Sequence, residues 1–246
     1  MRRFFIDENA ITEDQAVITG NLFCHMTRVL RLKIGTRVIL SDGIGRRHVG
    51  VIDTVGRENL VVRLEESSLE PTRPTGPLIT LYQGLPKGSK MEFILQKCTE
   101  LGVDSLVPFV AGRSVARLPA NREGERLERW QRIVREAARQ SNRATVPDLK
   151  PVMELPELLD AADQTVKLLL WEEEKSNRLK SVLGSVPLPE TVAVMVGPEG
   201  GLSKNEVAAA TRAGFIPVTL GSRILRTETA GIALLAILQY CWGDMG

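Results

Sequence analysis

Two places where an apolar run empties into a glycine-bearing loop constrain this chain more than any other feature. Val192-Ala-Val-Met-Val196 is apolar throughout and leads into Gly197-Pro-Glu-Gly-Gly201. A second β-type run, Pro217–Leu220, leads into Gly221-Ser-Arg-Ile-Leu-Arg-Thr-Glu-Thr-Ala230. A helical pattern follows each loop. Strands that are apolar on both faces and feed helices belong to parallel α/β sheets, because only helices packed on both sides can bury them. Open sheets of this kind hold small ligands in the loops at the carboxyl ends of their strands, and glycine there lets backbone approach a bound molecule. The two loops are therefore the first candidates for a binding site.

Upstream the alternation continues. Leu78–Gln83, Ser105–Val110 and Val166–Trp171 read as strands. A helix from Ser89, a long one over Arg122–Asn142, one over Lys204–Ala213 and a last one after Thr227 lie between or after them. Ser89-x-x-Glu92 and Ser203-x-x-Glu206 have the capping-box spacing, in which serine and glutamate each satisfy an orphan backbone N–H. Gly102 and Gly214 stand where those helices should stop. From Phe4 to about Glu66 the pattern is different. Short β-type runs (Arg37–Leu40, Val49–Ile52, Asn59–Leu64) alternate with turn signals at Asp42-Gly43 and Gly56, and Gly20–Leu32 is a helical interruption. A small β-barrel or sandwich is expected. Three prolines and a glycine between Ser67 and Pro77 resist regular structure. They divide the chain into a barrel over 1–70, a linker over 71–77 and an α/β domain over 78–246.

Composition narrows the function classes. The hydrophobic share of 43% supports real cores. Cys24, Cys98 and Cys241 are far apart, and neither His25 nor His48 stands at metal-ligand spacing to them, so no metal is expected and a reducing compartment fits. Asp7 and Glu8 interrupt the start before an apolar signal segment could develop. The longest apolar stretch, Ala230–Trp242, is shorter than the roughly 20 residues of a membrane span. A soluble cytoplasmic protein is expected. Net charge is only +2, yet Asn21–Gly50 carries six Lys or Arg residues against one acid, Asp42. That segment is either a local phosphate-binding patch or a solvated barrel surface.

Neither GxGxxG nor GxxxxGK[ST] occurs, which argues against a Rossmann or P-loop nucleotide site. A carboxylate at the centre of Gly197–Gly201 is an awkward neighbour for phosphate but suits ribose hydroxyls or an amino group. A ligand combining adenosine with a cation matches it.

The GPEGG and LGSRILRTETA loops, with His25–Arg31, Lys90–Val103 and Glu136–Arg143, resemble the RsmE-type ribosomal RNA uridine-N3 methyltransferases of the SPOUT class over essentially the whole chain. The resemblance implies an N-terminal PUA-like β-barrel, a C-terminal SPOUT parallel sheet with a trefoil knot, S-adenosyl-L-methionine as cofactor, and a homodimer. It also implies methylation of N3 of a uridine in 16S rRNA of the assembled small ribosomal subunit. Carried over residue by residue, the cofactor pocket comprises Leu170, Trp171, Val196, Gly197, Glu199, Gly200, Leu220, Gly221, Ile224, Leu225 and Arg226, with Gly200 leaving room for the ligand. Arg226 is the expected stabiliser of a negative uracil, since a guanidinium stays charged and can fork onto carbonyl oxygens. Glu228 is a candidate base, or simply an acid in a helix's first turn. Arg2, Arg3, His25, Arg28, Arg31, Lys90, Lys97, Arg139, Gln140 and Arg143 are the expected RNA contacts. Lys90 and Lys97 lie within about 20° on one helix face. In the long helix, Glu125–Arg129, Glu128–Arg132 and Arg132–Glu136 are i,i+4 pairs, whereas Arg139, Gln140 and Arg143 have no obvious acidic partner in the sequence. Apolar residues from Ile232 to Trp242 cover nearly every side of the last helix, which is expected to be buried all round, partly against a partner. A SPOUT enzyme with another RNA acceptor and a non-catalytic RNA-binding protein remain the alternatives.

Overall fold

The computed structural model describes residues 1–246 apart from Asp7, Ile44, residues 70–75 and 115–122, and the side chain of Glu8. Residues 71–75 of the expected linker lie outside the described residues, as does Arg122 at the start of the long helix. The chain forms two compact units, Met1–Thr72 with Ala138–Val146, and Arg73–Ala137 with Pro147–Gly246.

In the first unit five strands, β1 (Arg2–Phe5), β2 (Gln15–Thr19), β3 (Arg37–Ser41), β4 (Arg46–Val55) and β5 (Asn59–Leu69), form one sheet in the order β1-β3-β4-β5-β2. β1 runs parallel to β3, and the other neighbours are antiparallel. Inward residues Phe4, Ile18, Leu40, Ile52, Leu60 and Val62 build the core. The β4–β5 ladder slips at Val49/Gly50 and at Ile52/Thr54. Such bulges sharpen local twist and curl a sheet towards a barrel. The interruption after β2 is α1 (Gly20–Cys24) followed by a π-helical turn, His25–Val29, that ends at Arg31 in the left-handed region (φ 51°). Residues 138–146 pack with this sheet: Arg3 Nη1 donates to the Arg143 carbonyl (2.7 Å), and the Val146 N–H donates to the Gly43 carbonyl (3.1 Å).

The second unit holds β6 (Leu78–Gly84), β7 (Ser105–Val110), β8 (Asp148–Leu149), β9 (Met153–Glu154), β10 (Val166–Leu170), β11 (Thr191–Val196) and β12 (Ile216–Val218). Their order is β12-β10-β11-β6-β7-β8, with β9 also on β7, and every pairing is parallel. The helices are α2 (Lys90–Glu100), α3 (Glu123–Gln140, reaching the segment grouped with the first unit), α4 (Leu155–Ala161), α5 (Leu179–Ser185), α6 (Lys204–Arg212) and α7 (Thr227–Trp242). Tyr82, Phe109, Leu158, Leu169, Met195, Val207 and Phe215 form one continuous core. α2 and α7 pack together, and α7 also lies on β11. Gly102 (φ 86°) and Gly214 (φ 90°) turn the chain out of α2 and α6.

Only one of the two expected capping boxes forms. At α6 the Ser203 hydroxyl accepts from the Glu206 N–H (3.3 Å), and the Glu206 carboxylate accepts from the Ser203 N–H (2.7 Å). Ser89 lies instead near helical backbone angles (φ −90°, ψ 4°) and makes no side-chain cap. Its carbonyl accepts from the Glu92 N–H (3.1 Å), while the Glu92 carboxylate accepts from Arg129 Nη2 (2.8 Å). Ser203→Ala should therefore cost about 1 kcal/mol in denaturant unfolding, and Ser89→Ala close to nothing.

The last helix is covered by its own chain on one side only. Leu234, Leu235 and Leu238 are buried, but Ile237 is 37% and Tyr240 68% exposed, and Cys241 is exposed with them. Within one chain α7 therefore keeps an open apolar face.

Candidate functional site

At the carboxyl ends of β10, β11 and β12 the following loops enclose a cleft of about 1940 Å³. One wall runs from Leu170 to Arg178, a second from Val196 to Leu202, a third from Val218 to Thr227, and α7 closes the cleft with Ala230, Ile237 and Tyr240. The walls interlock by backbone. Leu179 N–H donates to the Thr219 carbonyl (3.1 Å), Thr219 N–H to the Asn177 carbonyl (2.9 Å), and Trp171 N–H to the Val218 carbonyl (3.3 Å). Every cofactor residue expected from sequence lines this cleft except Gly200.

Gly200 corrects one expectation. A β-carbon there would lie 3.0 Å from the carbonyl oxygen of Arg113, so the missing side chain makes room for the loop after β7 rather than for a ligand. Gly84 shows the tighter approach. Its β-carbon would lie 2.5 Å from Pro198 N and 2.8 Å from the Gly197 carbonyl carbon. Gly201 takes φ 66° to close the turn in which its N–H donates to the Pro198 carbonyl (2.9 Å).

Charges gather at the mouth. Glu199 accepts from Lys90 Nζ (2.8 Å) and from the Lys87 N–H (3.0 Å). Lys90 Nζ also stands 3.7 Å from Glu228 Oε2, and Arg226 Nη1 stands 3.9 Å from Glu228 Oε1. The Glu199 hydrogen bond holds the Lys90 ammonium above its usual pKa and so keeps it cationic. Burial opposes ionisation of Glu199, but Lys90 and backbone N–H donors outweigh it and keep its carboxyl below the usual range. Lys90 is therefore a cleft residue paired with acids, and Lys97 pairs with Glu100 on its own helix (2.8 Å). Each of the two lysines on that rim thus has an acidic partner within the protein. Glu228 does not line the cleft; its side chain is 16% exposed and backs Lys90 and Arg226.

The remaining expected RNA residues fall in the first unit. Arg2, Arg28 and Arg31 are exposed there and His25 is half-buried. Arg3 is buried and spends its guanidinium on the Arg143 carbonyl. Arg139, Gln140 and Arg143 each interact within the protein, although sequence shows no acidic partner for them. Sequence reasoning missed Lys87, whose N–H grips Glu199, and the Glu174–Arg178 wall of the cleft. Lys87 acts through its backbone N–H, which no side-chain pattern announces.

Glu206 joins the loops after β7 and β11. Its carboxylate accepts from the Gly112 N–H (2.7 Å) and the Ser203 N–H (2.7 Å). Burial raises its pKa, but these donors and Arg113 outweigh that and hold it below the ordinary 4.5. A depressed folded-state pKa gives stability that is complete above the unfolded value and lost as pH falls through the folded one. Acidification below about pH 4.5 should therefore loosen these loops, and Glu206→Gln should flatten that part of the stability-versus-pH curve measured by hydrogen exchange.

Comparison with known proteins decides the family. Residues 74–239 match the RNA methyltransferase domain family, and residues 18–65 match the RNA methyltransferase PUA domain. The chain belongs to the ribosomal RNA small subunit methyltransferase E family. It is 35% identical over 237 residues to ribosomal RNA small subunit methyltransferase E of Mycobacterium bovis, covering 94% of this chain and 88% of the relative. The Bacillus subtilis ribosomal RNA small subunit methyltransferase E is 33% identical, covering 98% and 96%. Among solved structures, ribosomal RNA small subunit methyltransferase E of Neisseria gonorrhoeae bound to S-adenosyl methionine superposes with a TM-score of 0.89 at 34% identity, covering both chains fully. A putative methyltransferase of Legionella pneumophila in complex with the same cofactor also gives 0.89, at 29% identity and 98% of each chain. The curled N-terminal sheet is thus PUA-like, and the parallel sheet is of the SPOUT methyltransferase type.

Proposed function

We propose that this protein methylates N3 of a uridine in 16S rRNA of the small ribosomal subunit, with S-adenosyl-L-methionine as donor. The observation that carries the reading is the cleft itself, in which both motif loops converge and Arg226 stands at the mouth. The residues fit the cofactor. Leu170, Val196, Leu220 and Leu225 offer apolar cover for a flat ring, and freed backbone groups at the strand ends can read its edge.

The cofactor supplies an activated methyl group. What remains for the chain is to hold donor and acceptor in line and to manage the uracil proton. N3 of the uracil must give up its proton as it takes the methyl group. Arg226, most of whose side chain is in solvent, would meet the charge that develops on the uracil carbonyl oxygens. Glu228 is better placed as counter-ion to Lys90 and Arg226 than as a base for that proton, because it is not on the cleft surface.

Arg28 and Arg31 on the PUA-like unit would hold RNA phosphate, in a homodimer acting in the cytoplasm. The open α7 face, with Ile224 (84% exposed) beside it in the cleft wall, supports a second copy as its cover. The trefoil knot that the family resemblance implies accords with the interlocked loops. Among the described residues no helix is long and apolar enough to cross a membrane, and no three His, Cys, Asp or Glu side chains are grouped to hold a metal ion.

The test is transfer of labelled methyl to small subunits lacking the modification, alongside naked rRNA and transfer RNA, with mass mapping of the nucleoside. The expected product is 3-methyluridine in 16S rRNA. Label at another atom or in another RNA would replace the proposed acceptor, and cofactor binding without transfer to any of them would favour a non-catalytic role.

A further inference from the structure

β6 is apolar along its buried length except at its end, where Gln83 is wholly buried and paired in register with Val196. Its amide orientation is fixed by chemistry. Nε2 lies 3.0 Å from the Gly84 carbonyl, an acceptor only, so the NH2 must face it; the flipped amide would set two oxygens against each other. The other N–H then goes to Thr227 Oγ1 (2.9 Å). Having accepted that bond, the hydroxyl has one proton left to give, and it donates it to the Gly197 carbonyl at 2.6 Å. The chain of bonds has one direction, from Gln83 through Thr227 to Gly197.

We infer that this relay sets the spacing between the two loops of the cleft and aims Arg226, making Gln83 and Thr227 positioning residues for methyl transfer. The inference rests on the proposed reading of the cleft as the cofactor site. Gly197 belongs to one wall, and Thr227 begins α7 immediately after Arg226 in the other. α7 has no side-chain cap at its N-terminus, so the Thr227 hydroxyl is the side-chain anchor of its first turn. That helix lies over the relay at Gly231, where a β-carbon would be in ordinary contact with Leu81 (3.5 Å) and Gln83 Oε1 (3.6 Å). Gln83 Oε1 itself is buried with no hydrogen-bond partner among the described residues. An apolar side chain of similar size would carry no such penalty, so glutamine serves here for its two donors.

The full-length protein tests this with Thr227→Val, which keeps shape and removes the relay, Thr227→Ser, which keeps the hydroxyl, Gln83→Met, and the Val–Met double variant. Cofactor Kd is read by calorimetry, kcat on unmodified small subunits at saturating cofactor, and folding by near-ultraviolet circular dichroism. Thr227→Val is expected to lower kcat on the order of 10- to 100-fold, as small misplacements do, with Thr227→Ser close to wild type and the double variant no worse than the worse single. Wild-type kcat in folded Thr227→Val, or multiplicative losses in the double variant, would overturn the relay. If Gln83→Met does not fold, the Val–Ser pair decides alone. Hydrogen exchange of the wild type with and without cofactor separates the two readings. Protection at 197–202 and 219–226 upholds the cleft even where the relay fails, and protection elsewhere removes the cleft assignment on which the relay depends.

Discussion

Arg226→Ala should lower methyl transfer by about 10²-fold or more while the protein folds as before. The side chain is 82% exposed, and its ion contact with Glu228 is long, at 3.9 Å. Exposed pairs of that kind contribute little to stability, so unfolding should not move. On the proposed reading its contribution belongs to the reaction. Losing the N3 proton leaves negative charge shared with the flanking carbonyl oxygens, and a guanidinium held at the cleft mouth can meet it with two parallel donors. Arg226→Lys keeps the charge but loses the fork, and should recover only part of the rate. Single-turnover transfer to unmodified small subunits at saturating cofactor, with Kd measured separately, checks this. An unchanged rate would remove Arg226 from the mechanism; a raised Kd at unchanged rate would make it a cofactor ligand only.

The cleft was legible because its signals are local. An apolar run that ends in Gly197-Pro-Glu-Gly-Gly201, and a second that ends in Gly221, announce strand ends whose loops line the cleft, whatever packs around them. The same locality explains the misses. Ser89 and Ser203 carry identical capping spacing, yet only Ser203 has extended backbone (φ −70°, ψ 159°) that lets its hydroxyl reach the third residue's N–H. Which conformation the chain takes there depends on how it enters the helix, not on the four residues. Lys90 and Lys97 share a helix face in sequence, but Lys90 is drawn to Glu199, 109 positions away, and a helical wheel contains no such partner. Residues 138–146 continue a helical pattern and end in the company of the PUA-like sheet, because Arg143 and Val146 find backbone partners on it. The two short helices α4 and α5, seven residues each, are too brief for periodicity to declare. Apolar composition alone could not tell a helix buried all round by its own chain from one with an exposed face, and α7 is the second kind along Ile237 and Tyr240.

Gly84→Ala should weaken cofactor binding at least about tenfold and destabilise the second unit by about 1–3 kcal/mol, the range for overpacking a filled site. Alanine adds one carbon, and at this position it would lie 2.5 Å from Pro198 N and 2.6 Å from Pro198 Cδ. Neither side can yield easily. Gly84 is the last residue of β6 and pairs with Phe109 of β7, while Gln83 before it pairs with Val196 of β11, so the strand end cannot retreat without disturbing both ladders. Gly197-Pro198 is held from the other side by the Thr227 hydroxyl and by the Gly201 turn. The strain must therefore displace the loop that forms one wall of the cleft. Gly200→Ala provides the contrast. Its closest contact would be 3.0 Å, to the carbonyl of Arg113, a looser approach than the 2.5 Å at Gly84, so cofactor affinity should change less. Calorimetric titration of both variants with S-adenosyl-L-methionine, beside their denaturant curves, reads the difference. Wild-type affinity in Gly84→Ala would mean that the loop is not pinned against β6, and the cofactor wall would then have to be held by the loops after β10 and β12 alone.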